Sequence, residues 1–313
     1  MLLDHITHNQ ARAALGAMRA VAEASGGLHP NEASWLSVCA RAFGTDDDVS
    51  RIEPCTVEHV LLSFDSPIER ERVLQCMVLM ALMDGHADVA EALLIEHFAR
   101  VLSVREERVK SLRELAEGRL TRMFLGLAWQ SYGHAEWVRL LRTDAPRGAW
   151  KMVGGLMSGP ADMATASRFR ALQSYDSETL GRIYSDWILS RGYPVSGEPG
   201  GVPESGVWPD LVRILAGYTA DADGEVQTSA LIAGFRQDDP FFWLFTTALQ
   251  FHLGLRLSPY TPGGQRGHFA PERVAHAYTR GRKVVCDLSQ HWDFWPTLKL
   301  PLKQAQRELG FCS

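Results

Sequence analysis

Apolar positions recur at helical spacing along almost the whole chain. Ala11, Leu15, Met18, Val21 and Ala22 return every three or four residues, which sets them on one helix face. Ser25-Gly26-Gly27 ends that run. His29-Pro30-Asn31-Glu32 opens the next, with Pro30 suited to a first helical turn, and Trp35, Leu36, Val38, Cys39 and Phe43 form its apolar side. The same grammar then returns. Val78 to Met83 finish a helix, Asp84-Gly85-His86-Ala87-Asp88 turn, and Ala90-Glu91 open a helix that carries Leu94, Phe98, Val101 and Leu102. Placing Ser25-Gly26 on Asp84-Gly85 sets Glu32 beside Glu91. The pattern predicts an internal repeat of two helix-turn-helix units, each needing the other to cover its apolar face.

Further along, Arg105 to Arg122 reads as a charged amphipathic helix and Phe124 to Leu141 as a connecting helix. Thr143 to Gly148 reads as a linker. Helical runs follow at Trp150 to Met157, Phe169 to Leu172, Ser177 to Trp187, Trp208 to Gly217, Val226 to Phe235, Pro240 to Leu253 and Pro271 to Arg282. No alternating strand pattern persists, so the predicted class is all-α. A chain of 313 residues exceeds what one core ordinarily holds. The expected division is two helical domains, 1–120 and 148–313, joined by a connecting helix and linker over 121–147.

Composition narrows the function classes. A hydrophobic fraction of 46% with 22% charged residues is that of an ordinary soluble protein. The formal net charge of −5 supplies no basic field, so nucleic acid is not the expected partner. The five cysteines are scattered, odd in number and form no CxxC, which fits free thiols in a reducing cytoplasm. No run is long enough to span a bilayer and no signal peptide is visible, so any membrane contact is expected to be peripheral.

The repeat resembles the tellurite-resistance TerB-like fold, whose signature is a helix, a small-residue Asp-Gly turn and a helix begun by a Glu. The second copy keeps Asp84-Gly85 and Glu91; the first has Ser25-Gly26 and keeps Glu32. The resemblance covers roughly Leu3 to Glu117 and implies an association domain with an acidic docking or metal-associated face. The simpler expectation is that Asp84 and Glu91 cap helices and shape turns.

The second half resembles the ubiquinone-biosynthesis Coq-four family through four ordered blocks. The first is Thr179-Leu180-Gly181-Arg182-Ile183-Tyr184-Ser185-Asp186-Trp187. The second is Trp208-Pro209-Asp210-Leu211-Val212-Arg213-Ile214-Leu215-Ala216-Gly217-Tyr218 with Gly224-Glu225. The third is Ala277-Tyr278-Thr279-Arg280-Gly281-Arg282-Lys283. The fourth is Trp292 with Leu300-Pro301-Leu302 and Arg307-Glu308-Leu309-Gly310. The resemblance implies a helical, often dimeric protein at the membrane face that handles quinone-ring precursors and prenylated intermediates. It also implies a metal held by a His-Asp pair, a second His one helical turn on, and a Glu from the next helix.

Aligned on Gly217-Tyr218, this chain departs from that motif. Pro209 stands at the first His position and Arg213 at the second, while Asp210 and Glu225 remain. Three alternatives stay open. The metal chemistry is lost, and Arg213 paired with Asp210 or Glu225 serves as a fixed counter-charge around a retained cavity. Or the site is a metal-independent enzyme, with Glu225 or Asp210 as acid or base and Arg213 anchoring an anionic substrate group. Or a metal is rescued by other histidines, among His252, His268, His276 and His291.

The expected ligand is a hydrophobic, ring-bearing or prenylated small molecule of a quinone-like or secondary-metabolite pathway. Tyr218, Trp208, Phe242, Phe245 and His252 are the candidate lining residues. No cofactor is expected, and biosynthetic protein partners and a homodimer are the expected associations. The expected place is the cytoplasm, peripheral to the inner membrane. The Gly-rich stretch Pro262 to Gly267 follows no strand, which argues against a phosphate loop. The aromatic run Phe241-Phe242-Trp243-Leu244-Phe245 reads as a core helix or as the wall of a greasy cavity.

Overall fold

Thr7 starts the first helix by a reciprocal cap. Its hydroxyl accepts the backbone N–H of Gln10 at 3.3 Å, and the Gln10 side-chain oxygen accepts the N–H of Thr7 at 2.8 Å. The structure, a computed structural model, describes residues 3, 6–45, 48–127, 162–257, 265–290 and 292–311. It divides into two compact units. The first comprises 1–139, 241–257 and 261–276; the second comprises 140–240, 258–260 and 277–313. The units are therefore not continuous stretches of chain. Residues 241–257 and 261–276 belong with the N-terminal half, whereas the sequence pattern placed all of 148–313 together. Most of the connecting helix and linker expected over 121–147 lies outside the described residues, as do His291 and residues 258–264.

The first unit is built on α1 (His8–Ala24), α2 (Pro30–Ala42), α3 (Val57–Ser63), α4 (Pro67–Met80), α5 (Val89–Val101) and α6 (Glu107–Ala116). His8 and Pro67 open α1 and α4, 59 positions apart, and Pro30 and Val89 open α2 and α5 at the same separation. His29 and Asp88 are the matching N-caps. The two helix-turn-helix copies thus coincide residue for residue at their helix starts.

Each copy covers the other. α1 packs against α2, α3, α4 and α5, and its buried face is rich in alanine: Ala11, Ala13, Ala14, Ala17 and Ala22. Small side chains let four helices approach one axis. In α4 every residue from Val73 to Met80 is buried, as a helix that is covered on all sides must be. Trp35 is 1% exposed and meets Phe269 edge-on at 5.6 Å. Burying a side chain of this size contributes on the order of 2–3 kcal/mol.

The expected single helix over Arg105 to Arg122 is shorter. α6 stops at Ala116, and Gly118 turns the chain with φ +71. The apolar run from Pro240 also breaks: the α-helix ends at Thr247 and continues as a π-helical turn over Ala248–His252.

The second unit holds α7 (Met163–Ala171), α8 (Leu180–Leu189), α9 (Trp208–Ala216), α10 (Ala222–Phe235), α11 (Trp295–Leu298) and α12 (Leu302–Leu309). It brings the four sequence blocks together. Leu180 donates its N–H to Leu300 O at 2.9 Å, and Leu302 donates to Glu178 O at 2.8 Å. Gln306 donates from its side chain to Leu215 O at 2.8 Å, and Arg280 donates to Ala216 O at 3.1 Å. These bonds satisfy carbonyls at the C-terminus of α9, which have no partner within the helix. Gly281 sits so close to α10 that an added Cβ would collide with Leu231 O.

The described residues are all-α. They contain no strand, only an isolated bridge between Thr179 and Pro301. Among them no helix is long and apolar enough to cross a membrane.

Candidate functional site

The site begins with where α9 stops. Gly217 adopts the left-handed conformation at φ 73, which a residue with a Cβ rarely takes, and the Tyr218 N–H returns to Arg213 O at 3.1 Å. Asp221 then caps α10: its Oδ1 accepts the Gly224 N–H at 2.8 Å and the Thr219 hydroxyl at 2.8 Å. The tight turn aims the first turn of α10 back at α9. Helix spacing does the rest, because Asp210 and Arg213 stand one turn apart on α9.

Arg213 consequently sits between two carboxylates. Its Nη1 donates to Asp210 Oδ1 at 3.1 Å, and its Nη2 lies 2.6 Å from Glu225 Oε1. Arg213 is only 6% exposed, while the side chains of Asp210 and Glu225 are half-buried. Burial raises the pKa of both carboxyls, and the Arg213 guanidinium pulls each back down. Arg191 adds a second cationic influence on Asp210.

Aromatic residues from α8 close over the cluster. The Arg213 guanidinium lies 5.6 Å from the Trp187 ring centroid, and Arg191 lies 4.5 Å from the same ring. Tyr184 is buried, and its hydroxyl has no hydrogen-bond partner among the described residues. Burial, aided by Asp210, pushes that phenol well above its ordinary range. Sequence reasoning did not single out Tyr184, Trp187 or Arg191 as site residues. The signal was available, since Tyr184 and Trp187 share one face of the first block at a spacing of three.

No family model, curated protein or solved structure matches the chain.

The Coq-four resemblance implies a metal here, and the residues present do not fit one. A guanidinium occupies the space between the two remaining carboxylates, and a fixed cation there repels a metal ion. Among the described residues no three His, Cys, Asp or Glu side chains come together to hold a metal. What the arrangement can do is hold charge. A buried arginine with two acceptors is a rigid post, and its Nε has no partner among the described residues.

The other expected lining residues fall into two sets. Tyr218 and Trp208 belong to the second unit with the ion cluster. Arg280 lies 5.1 Å from the Tyr218 ring centroid, and Trp208 meets Phe235 edge-on at 6.4 Å. Phe242, Phe245 and His252 belong to the first unit. There Phe245 is buried against Phe241, with ring centroids 5.9 Å apart, and Phe242 is half-buried. His252 is buried in the π-helical turn, its Nε2 3.0 Å from Met83 O. Burial lowers its pKa, which favours the neutral ring, while the bond to Met83 O and the charge of Asp84 act the other way. His268 and His276 also belong to the first unit, and His291 lies outside the described residues.

Proposed function

We propose that this chain binds a hydrophobic, ring-bearing or prenylated small molecule of a quinone-like or secondary-metabolite pathway, and does so without a metal. The observation that carries the reading is the Arg213 bridge at 3.1 Å to Asp210 and 2.6 Å to Glu225. A metal that organises two helices can be replaced by a buried cation with the same two carboxylate partners. The surrounding frame then persists while the chemistry is lost. The four blocks that carry the Coq-four resemblance converge on α9, which supports a retained binding frame. Trp187, Tyr218 and Trp208 supply the apolar surface that a ring-bearing ligand requires. In this reading the protein acts in the cytoplasm, peripheral to the inner membrane, with biosynthetic protein partners or as a homodimer.

A second reading is favoured by one observation: burial raises the pKa of both Asp210 and Glu225. A carboxyl held nearer neutrality is a better acid or base, and Arg213 would anchor an anionic group of the substrate. Solvent extraction of the purified protein followed by mass spectrometry tests the first reading. A lipophilic compound retained at near-stoichiometric amount supports it, and an empty extract counts against it. Glu225→Gln separates the two readings: a binding protein keeps its ligand, whereas an enzyme keeps it unconverted.

A further inference from the structure

The Arg213 guanidinium is matched from two sides and left with one donor. Nη1 donates to Asp210 Oδ1 at 3.1 Å, and Nη2 lies 2.6 Å from Glu225 Oε1. The Nε–H is taken by neither carboxylate and has no partner among the described residues. Other arginines of the chain use that atom: Arg19, Arg113, Arg170 and Arg182 each engage a carboxylate through Nε. Those four are surface pairs, whereas Arg213 is 6% exposed. A buried donor without a partner is costly, and a ligand atom that meets it recovers the cost.

A second buried donor belongs to the same cluster. Tyr184 is 1% exposed, and its hydroxyl has no hydrogen-bond partner among the described residues. Its ring stacks with Trp187, the centroids 6.5 Å apart and the planes 21° apart. The Arg213 guanidinium lies 5.6 Å from the centroid of that same Trp187 ring. Asp210, which Arg213 holds, is also the charged group that acts on the Tyr184 phenol. The two free donors therefore share Trp187 and Asp210 as neighbours.

Charge decides which acceptor they suit. Two carboxylates, Asp210 and Glu225, face two cations, Arg213 and the exposed Arg191. A ligand anion would add a third negative charge beside carboxylates that are already partly desolvated, where repulsion is stronger than in water. A neutral carbonyl oxygen adds no charge and offers two lone pairs, one for the Tyr184 O–H and one for the Arg213 Nε–H. The bond to the guanidinium is charge-assisted. We propose that Tyr184 and Arg213 together read a neutral carbonyl oxygen on the bound ring, as a quinone, ketone or ester carries, and discriminate against a ring carboxylate. This rests on the reading that the site binds a ring-bearing molecule without a metal, and it opposes a role for Arg213 as anchor of an anion.

The test titrates the full chain calorimetrically with three probes of one shape: methyl 4-butoxybenzoate, 4-butoxybenzoate and 1-butoxy-4-ethylbenzene, which has no carbonyl. At about pH 7.5 the benzoate is ionised, and the ester should bind about tenfold tighter than it does. Tyr184→Phe should weaken the ester by about tenfold, the worth of one buried hydrogen bond, and leave the carbonyl-free ether unchanged. A thermal melt of that variant confirms that it folds. Three results would overturn the proposal while leaving a ring-binding site in place: benzoate binding as tightly as the ester, ester binding undiminished in Tyr184→Phe, or ester and ether weakened alike, which marks Tyr184 as a packing residue only. Binding of none of the three probes overturns the proposal and the ring-binding reading together.

Discussion

Arg213 on α9 and Glu225 in the first turn of α10 stand 2.6 Å apart, joined across the Gly217 turn by one charged contact. Asp210 takes the opposite side of the same guanidinium. Removing the cation leaves two partly buried carboxylates facing each other. Arg213→Ala should lower unfolding stability by about 3 kcal/mol, the usual cost of stranding one side of a buried pair. Urea denaturation measures it. Arg213→Lys should fall between, because a single ammonium cannot span both carboxylates with a planar fork.

Tyr184 gives the contrasting case. Among the described residues its buried hydroxyl has no hydrogen-bond partner, so Tyr184→Phe removes a desolvation cost and breaks no bond seen there. Stability should stay level or rise by about 1 kcal/mol. If ligand retention nevertheless falls in that variant, the hydroxyl faces the ligand. Melting temperature and ligand content measured on one preparation separate the two effects.

The paired carboxyls of the repeat make stability depend on pH. Both have folded pKa values raised above the ordinary 4.5, to about 7 for Glu32 and about 8 for Glu91. Between about pH 4.5 and 8 the unfolded chain therefore binds fewer protons than the folded one, and stability falls as pH rises. Below that window both states are protonated and the penalty vanishes. Melting temperature should decline from pH 5 to pH 8, and Glu32→Gln should flatten the decline. A melting temperature that climbs over the same range contradicts the assignment.

Ser25→Ala tests the link between the repeats. It removes the bond to Glu91 Oε1, which holds the Glu91 pKa down. A loss of about 1 kcal/mol is expected, with the decline in stability beginning at lower stability overall and extending to higher pH.

Much of this was legible in residue order. The all-α class follows from helical spacing, and the repeat was visible in the paired turns at Ser25-Gly26 and Asp84-Gly85 because capping and turn chemistry are local. The pairing of Arg213 with Asp210 is likewise a matter of helix spacing. Its pairing with Glu225 depends on the turn, which Gly217 and Asp221 encode. Other features were not local. The apolar run after Pro240 reads as a helix of the second half, yet Phe245 and His252 belong to the first unit. Hydrophobic periodicity tells which face is buried but not against what. The Ser25–Glu91 bond spans 66 positions, and nothing in the local pattern says that Glu91 abandons its own helix start.

The native mass spectrum of the intact purified chain tests the central claim most directly, because it weighs protein and bound species together. The Arg213 bridge predicts the chain carrying a small organic adduct and no stoichiometric metal, with the adduct lost on mild activation. A spectrum showing one metal ion per chain, or the bare chain alone, would contradict the account.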